Sequence, residues 1–118
     1  MALYTTLEIY RAAYGLLKAC ADPLTKMQRN ARAVFGVKLR DRLLEIVELI
    51  RDANVATNKV PHLDTLLRSH REAEVLLRLF HDKRYMSHGQ YAAAIEFSVS
   101  IGRQANGWRN KYVASPAT

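Results

Sequence analysis

The stretch FGVKLRDRLLEIVELIRDAN, Phe35 to Asn54, decides the fold. Phe35, Leu39, Leu43, Ile46, Ile50 and Ala53 recur at steps of four and three, which lines them along one face of an α-helix. Asp41, Glu45, Glu48 and Asp52 repeat at the same spacing on the opposite side and predict an outer acidic stripe. The early part, Lys26 to Arg42, is basic instead, and Gly36 is expected to ease a bend or a close contact. The spacing predicts one helix from about Gln28 to Thr57.

The flanking sequence supplies more of the same. Upstream, Leu3, Leu7, Tyr10, Tyr14 and Leu17 predict a helix from about Ala2 to Cys20, ended by Asp22-Pro23 because proline pushes the preceding residue out of helical geometry. Downstream, Asn58 to Pro61 forms a break, and Pro61 suits the first position of a third helix running to about Arg84. Leu63, Leu66, His70, Ala73, Leu77 and Phe80 are its predicted core stripe. Ser87-His88-Gly89-Gln90 reads as a capping box opening a fourth helix, with Tyr91, Ile95, Ser98, Gly102 and Ala105 on one face. The connections are short, so neighbouring helices should run antiparallel. The expectation is an all-α, up-down-up-down antiparallel four-helix bundle over residues 1–113, followed by a small, polar, flexible tail over 114–118.

Composition agrees. The chain has 118 residues, 49% of them hydrophobic, with only five glycines and three prolines, which favours long uninterrupted helices over many short strands. Its single cysteine, Cys20, excludes an internal disulfide framework and suits a reducing, cytoplasmic setting. No apolar run approaches the roughly 20 residues of a membrane span, and no signal peptide is evident. The net charge of +7 points toward phosphate-bearing or acidic partners.

Two surfaces go beyond what a core requires. At about 100° per residue, Val75 and Leu79 point away from the Leu66–Leu77 line and Leu76 lies between, while Val34, Val37, Leu44 and Val55 leave the core face of helix two. Such lines on two helices favour subunit packing, hence a homo-oligomer. Arg68, Arg71 and Arg78 share the outer side of helix three, and Lys83-Arg84 extends its end. Lys26, Arg29, Arg32, Lys38 and Arg40 offer a second patch. Both suit phosphate backbones, and with no base-reading motif beside them they predict weak sequence preference.

Catalytic patterns are poorly represented. His62, His70, His81 and His88 lack the Glu-x-x-His spacing of bundle di-metal sites, and there is no His-Glu-x-x-His, cysteine pair or phosphate-cradling glycine loop. The expectation is a non-enzyme with no metal and no cofactor.

Taken in order, LEIYRAAYGLLKACADPLTKMQR, FGVKLRDRLLEIVELIRDAN, EVLLRLFHDKRYMSHGQYA and SIGRQANGWRN resemble the accessory variability determinants (Avd) of diversity-generating retroelements. These belong to a wider group of small four-helix bundles that includes proteins encoded in ribosomal RNA intervening sequences. The apolar-Gly-Arg pattern followed closely by Gly-Trp, here Ile101 to Trp108, is the most specific element. The resemblance implies a homopentameric barrel that binds the element's reverse transcriptase and its template RNA, with DNA as a further candidate partner, and supports mutagenic cDNA synthesis without being a catalyst. Arg78 sits where the family places a basic residue of helix three, and Arg32 and Lys38 match basic positions of helix two. The position one turn before Arg78, often basic in the family, is Glu74 here, with Arg71 on the same side. The expected nucleic-acid contacts are therefore Arg32, Lys38, Arg68, Arg71, Arg78, Lys83 and Arg84. The expected subunit contacts are Leu44, Val75, Leu76, Leu79 and Gly107. The alternative is a bundle of the intervening-sequence type, structural or RNA-binding, with no retroelement. Within the closing motif, Gly102 is expected to let a neighbouring helix approach, Trp108 to anchor packing, and Arg109 to bond within the assembly.

Overall fold

The amphipathic stripe on Phe35–Asn54 needs apolar partners, and three further helices provide them around a single core. The structure, a computed structural model, describes residues 3–113. After a 3-10 turn at Tyr4–Thr6, α1 spans Glu8–Lys26. Helix α2 runs continuously over 29–55, through a helical turn Arg29–Ala31, a π-helical stretch Arg32–Gly36 and an α-helical stretch Val37–Val55. Helix α3 spans Val60–Asp82 and α4 spans His88–Val113. Each helix packs on its two sequence neighbours, and α4 closes the circle against α1. The body measures 53 × 23 × 22 Å, and no strand occurs among the described residues. The predicted tail, 114–118, lies outside those residues.

In α2 the predicted face is the buried one: Leu39, Leu43, Ile46, Ile50 and Ala53 are buried and Phe35 packs at the edge. In α3 all six predicted stripe residues are buried. The capping box of α4 forms as read, with the Gln90 N–H donating to Ser87 Oγ at 3.0 Å and the Ser87 N–H donating to Gln90 Oε1 at 2.8 Å. Helix α4 buries Ala94, Ser98, Ile101, Gly102 and Ala105, while Tyr91 and Ile95 only border the core.

Helix α1 differs from expectation at both ends. Pro23 lies inside it, and the helix runs on to Lys26. The missing N–H forfeits one bond to the carbonyl four residues earlier, and the buried ring adds apolar area. The chain turns only at Met27, whose N–H bonds the Pro23 carbonyl at 3.1 Å. The buried line is Ile9, Ala12, Ala13, Leu16 and Cys20, not the predicted Leu3–Leu17 stripe. The small alanines let α1 approach its neighbours closely, so the bulkier residues are displaced to the rim. There Tyr10 and Tyr14 stack at 6.1 Å and Lys18 sits 5.7 Å over the Tyr14 ring. Burial pushes the Cys20 thiol up to about 12, so the group stays protonated and unreactive near neutral pH.

The turns rest on identifiable caps. Lys59 Nζ donates to the carbonyls of Ala53, Asn54 and Ala56 at 2.8, 3.1 and 2.9 Å, neutralising the negative end of α2. At the end of α3 the Tyr85 N–H bonds the Phe80 carbonyl at 2.8 Å and the Arg84 N–H bonds the His81 carbonyl at 3.1 Å. This is a Schellman ending, and Tyr85 packs edge-on to Phe80 at 5.5 Å, the apolar contact that accompanies it. The left-handed position usually given to glycine is Arg84, with φ of 59°. Arg84→Gly is expected to raise stability by about 1 kcal/mol, the cost of that conformation for a residue with a Cβ. A higher urea midpoint would show it, and a lower one would mean that Arg84 supports the turn through its side chain.

Candidate nucleic-acid interface

Helix α3 positions the basic residues because its inner face is occupied by the six-residue core stripe. Arg68 and Arg71 are thereby turned outward, toward α4. With Asp64, Leu67, Asn106 and Arg109 they line an open groove of about 430 Å³ between α3 and α4. Arg109 donates to Asp64, as expected of a bond within the assembly, although here the bond lies within one chain. That pair neutralises itself and leaves Arg68 and Arg71 as the groove's excess charge. Neither has an ion-pair or hydrogen-bond partner among the described residues. Arg78 continues the ridge about 15 Å from Arg68 along the helix axis. It is exposed and pairs loosely with Asp82 at 3.9 Å. Asn106 and Arg109 were not among the expected contacts, since only the crossing of two helices brings them beside Arg68 and Arg71.

The other candidates are dispersed. Lys83 and Arg84 are exposed in the α3–α4 turn, and Arg84 faces a second cavity at the bundle's end, beside Asp22 and Lys26. Arg32 donates to the Thr25 carbonyl at 3.2 Å, capping the end of α1 while its side chain stays exposed. Lys38 lines a groove of about 450 Å³ between α2 and α3, with Arg42, Glu72, Val75 and Leu76. The structure therefore joins Lys38 to two of the expected subunit contacts rather than to Arg32.

Of those contacts, Val75 is 70% exposed and Leu44 43%. Leu76 and Leu79 are half-buried, and Leu76 packs against the core edge. Gly107 is exposed, and beyond its own helical turn no atom of the described residues comes within 4 Å of where a side chain would begin. Leu44 and Val75 lie on different faces. Arg42 and Glu45 occupy the side of α2 that meets α3, through Glu72 and Ser69, and Leu44 is turned the other way. On α3, at about 100° per residue, Val75 falls on the same outward arc as the arginines, between Arg71 and Arg68.

Polar side chains in the helix seams have structural work. Ser69 Oγ donates to Glu45 Oε1 at 2.7 Å and Arg42 Nη1 to Glu45 Oε2 at 2.9 Å. The expected outer acidic stripe therefore holds for the exposed Asp41 and Glu48 but not for Glu45. Glu74 turns into the α3–α4 seam, where it accepts the Ser98 hydroxyl at 2.8 Å. Its carboxylate thus leaves the arginine ridge. His70, Ser98 and Glu74 have the composition of a nucleophile triad without its geometry. His70 Nε2 lies 2.7 Å from the Ser98 carbonyl, which only accepts, so this nitrogen carries the proton and cannot take one from Ser98 Oγ. Gly102 makes the contact possible. A Cβ there would stand 2.8 Å from His70 Cε1. Trp108 is half-buried against the core edge, as a packing anchor should be.

Among the described residues no helix is long and apolar enough to cross a membrane. Set against protein-family models, curated proteins and solved structures, the chain matches none of them.

Proposed function

We propose that the chain is a non-catalytic accessory protein of a diversity-generating retroelement, which binds reverse transcriptase and template RNA, or an RNA–DNA hybrid, to support mutagenic cDNA synthesis in the cytoplasm. The observation that carries the binding reading is the α3–α4 groove, where Arg68 and Arg71 have no partners among the described residues. Unpaired guanidinium groups on a rigid helix are ready to meet phosphate oxygens, and their forked donors favour it. The motif from Ile101 to Trp108 supports the assignment to the retroelement group. The proposed assembly is a pentameric ring of antiparallel bundles. It is favoured by the separation of Leu44 and Val75 onto different faces, since a ring needs two unlike surfaces that meet head to tail.

Charge reversal at both Arg68 and Arg71 is expected to lower affinity for a single-stranded RNA about a hundredfold, taking about 1.5 kcal/mol for each charge-assisted contact. The dependence of log K on log salt should flatten by about 0.7 for each phosphate contact removed. Filter binding at several salt concentrations measures both, with light scattering alongside. Unchanged affinity would refute the groove as the RNA surface. Loss of the wild-type mass would reassign the two arginines to assembly. Co-purification with a reverse transcriptase encoded beside the gene tests the polymerase partner directly.

A further inference from the structure

The geometry points to a two-histidine site for a borderline divalent metal, zinc or nickel, at the α3–α4 turn. His81, in the last turn of α3, and His88, the first residue of α4, bring His81 Nε2 and His88 Nδ1 to 3.4 Å. Two metal–nitrogen bonds of about 2.0–2.1 Å at a tetrahedral angle set their nitrogens about 3.4 Å apart. The His81 ring is already oriented, because it stacks on Tyr91 of α4 with centroids 4.3 Å apart and planes at 20°. Its other nitrogen, Nδ1, faces Asp82 Oδ1 at 3.7 Å. A carboxylate behind the ring favours the proton on Nδ1 and leaves the Nε2 lone pair directed at His88, the outer-shell arrangement of histidine–metal sites. Without metal, one imidazole donates to the other across a long bond. A metal ion would take both lone pairs and replace that weak contact with two strong ones.

The surroundings select the class of ion. No three His, Cys, Asp or Glu side chains converge among the described residues, so the remaining positions fall to water. The adjoining cavity of about 780 Å³, lined also by Asp22, Lys26 and Arg84, has room for it. Asp22 pairs with Lys26 at 3.9 Å and Asp82 with Arg78 at 3.9 Å, and Arg84 also lines the cavity, which therefore offers little net negative charge to a hard ion such as calcium or magnesium. Imidazole donors favour zinc, nickel and copper instead. This inference stands independently of RNA binding.

Calorimetric titration of the full chain with zinc chloride and nickel chloride tests it. Saturable micromolar binding of one ion per chain is expected. His81→Gln and His88→Gln should each weaken it at least about tenfold, Asp82→Asn severalfold, and His62→Gln not at all. His88 is exposed and carries no core packing, so its replacement tests the site even if His81→Gln perturbs the turn. No saturable binding by the intact chain, or equal affinity in His88→Gln, would overturn the site.

Discussion

Gly102→Val is expected to lower stability by about 3 kcal/mol, although valine is the better helix former. Glycine costs a helix interior about 1 kcal/mol against alanine, so propensity alone predicts a gain. The site reverses that sign. A Cβ would lie 2.8 Å from His70 Cε1, and this ring is not free to move. Its Nε2 is held at 2.7 Å by the Ser98 carbonyl and at 3.0 Å by Ser98 Oγ, in a seam where His70 is 7% exposed. Overpacking costs about 1–3 kcal/mol, and displacing the ring leaves buried polar groups unsatisfied for about 1–3 more. Urea unfolding measures the difference. A neutral or stabilising result would show that the α3–α4 seam can open without loss. Gly107→Ala is the internal control, because among the described residues nothing from another turn crowds that position.

Phe80→Ala should cost more, about 3–5 kcal/mol, the usual range for deleting a buried ring. Phe80 is fully buried, and it performs two tasks. It closes the core at the end of α3, and its edge-on contact with Tyr85 holds the Schellman turn that starts the path to α4. Against a total stability of about 5–15 kcal/mol for a domain, that loss should populate the unfolded chain at modest denaturant. A shift in the urea midpoint equivalent to less than about 1 kcal/mol would mean that the two helices are held together mainly elsewhere.

The helices whose faces were legible are α2 and α3. Their buried residues are large and branched, so period and burial coincide, from Leu39 to Ala53 and from Leu63 to Phe80. In α1 the period pointed to the wrong line. Tyr10, Tyr14 and Leu17 carry more apolar surface than Ala12 and Ala13, yet close approach of helices rewards the small side chains. Pro23 misled for a different reason: its lost bond and ring clash fall on the carbonyl four residues earlier, and burial of the ring against the core offsets them. The arginines of the candidate groove were visible as an outward line on α3. Their separation from the Asp64–Arg109 pair was not, because it depends on which face of α4 comes alongside. His81 and His88 were visible as residues but not as neighbours, because their spacing of seven matches no metal-site pattern and only the α3–α4 turn brings the rings together.

By itself, then, the sequence determined the number of helices, the core lines of α2 and α3, the capping box at Ser87 and Gln90, and the positive balance of the surface. These follow from local chemistry: spacing along a helix, a hydroxyl three residues before an amide, and a count of charges. Only the tertiary structure decided which charges are spent and which remain free. Glu45, Glu74, Arg32 and Lys59 are drawn into seams and caps, whereas Arg68 and Arg71 are left facing solvent. A charge is neutralised by what stands within a few ångströms of it, and in this bundle the decisive neighbours come from another helix.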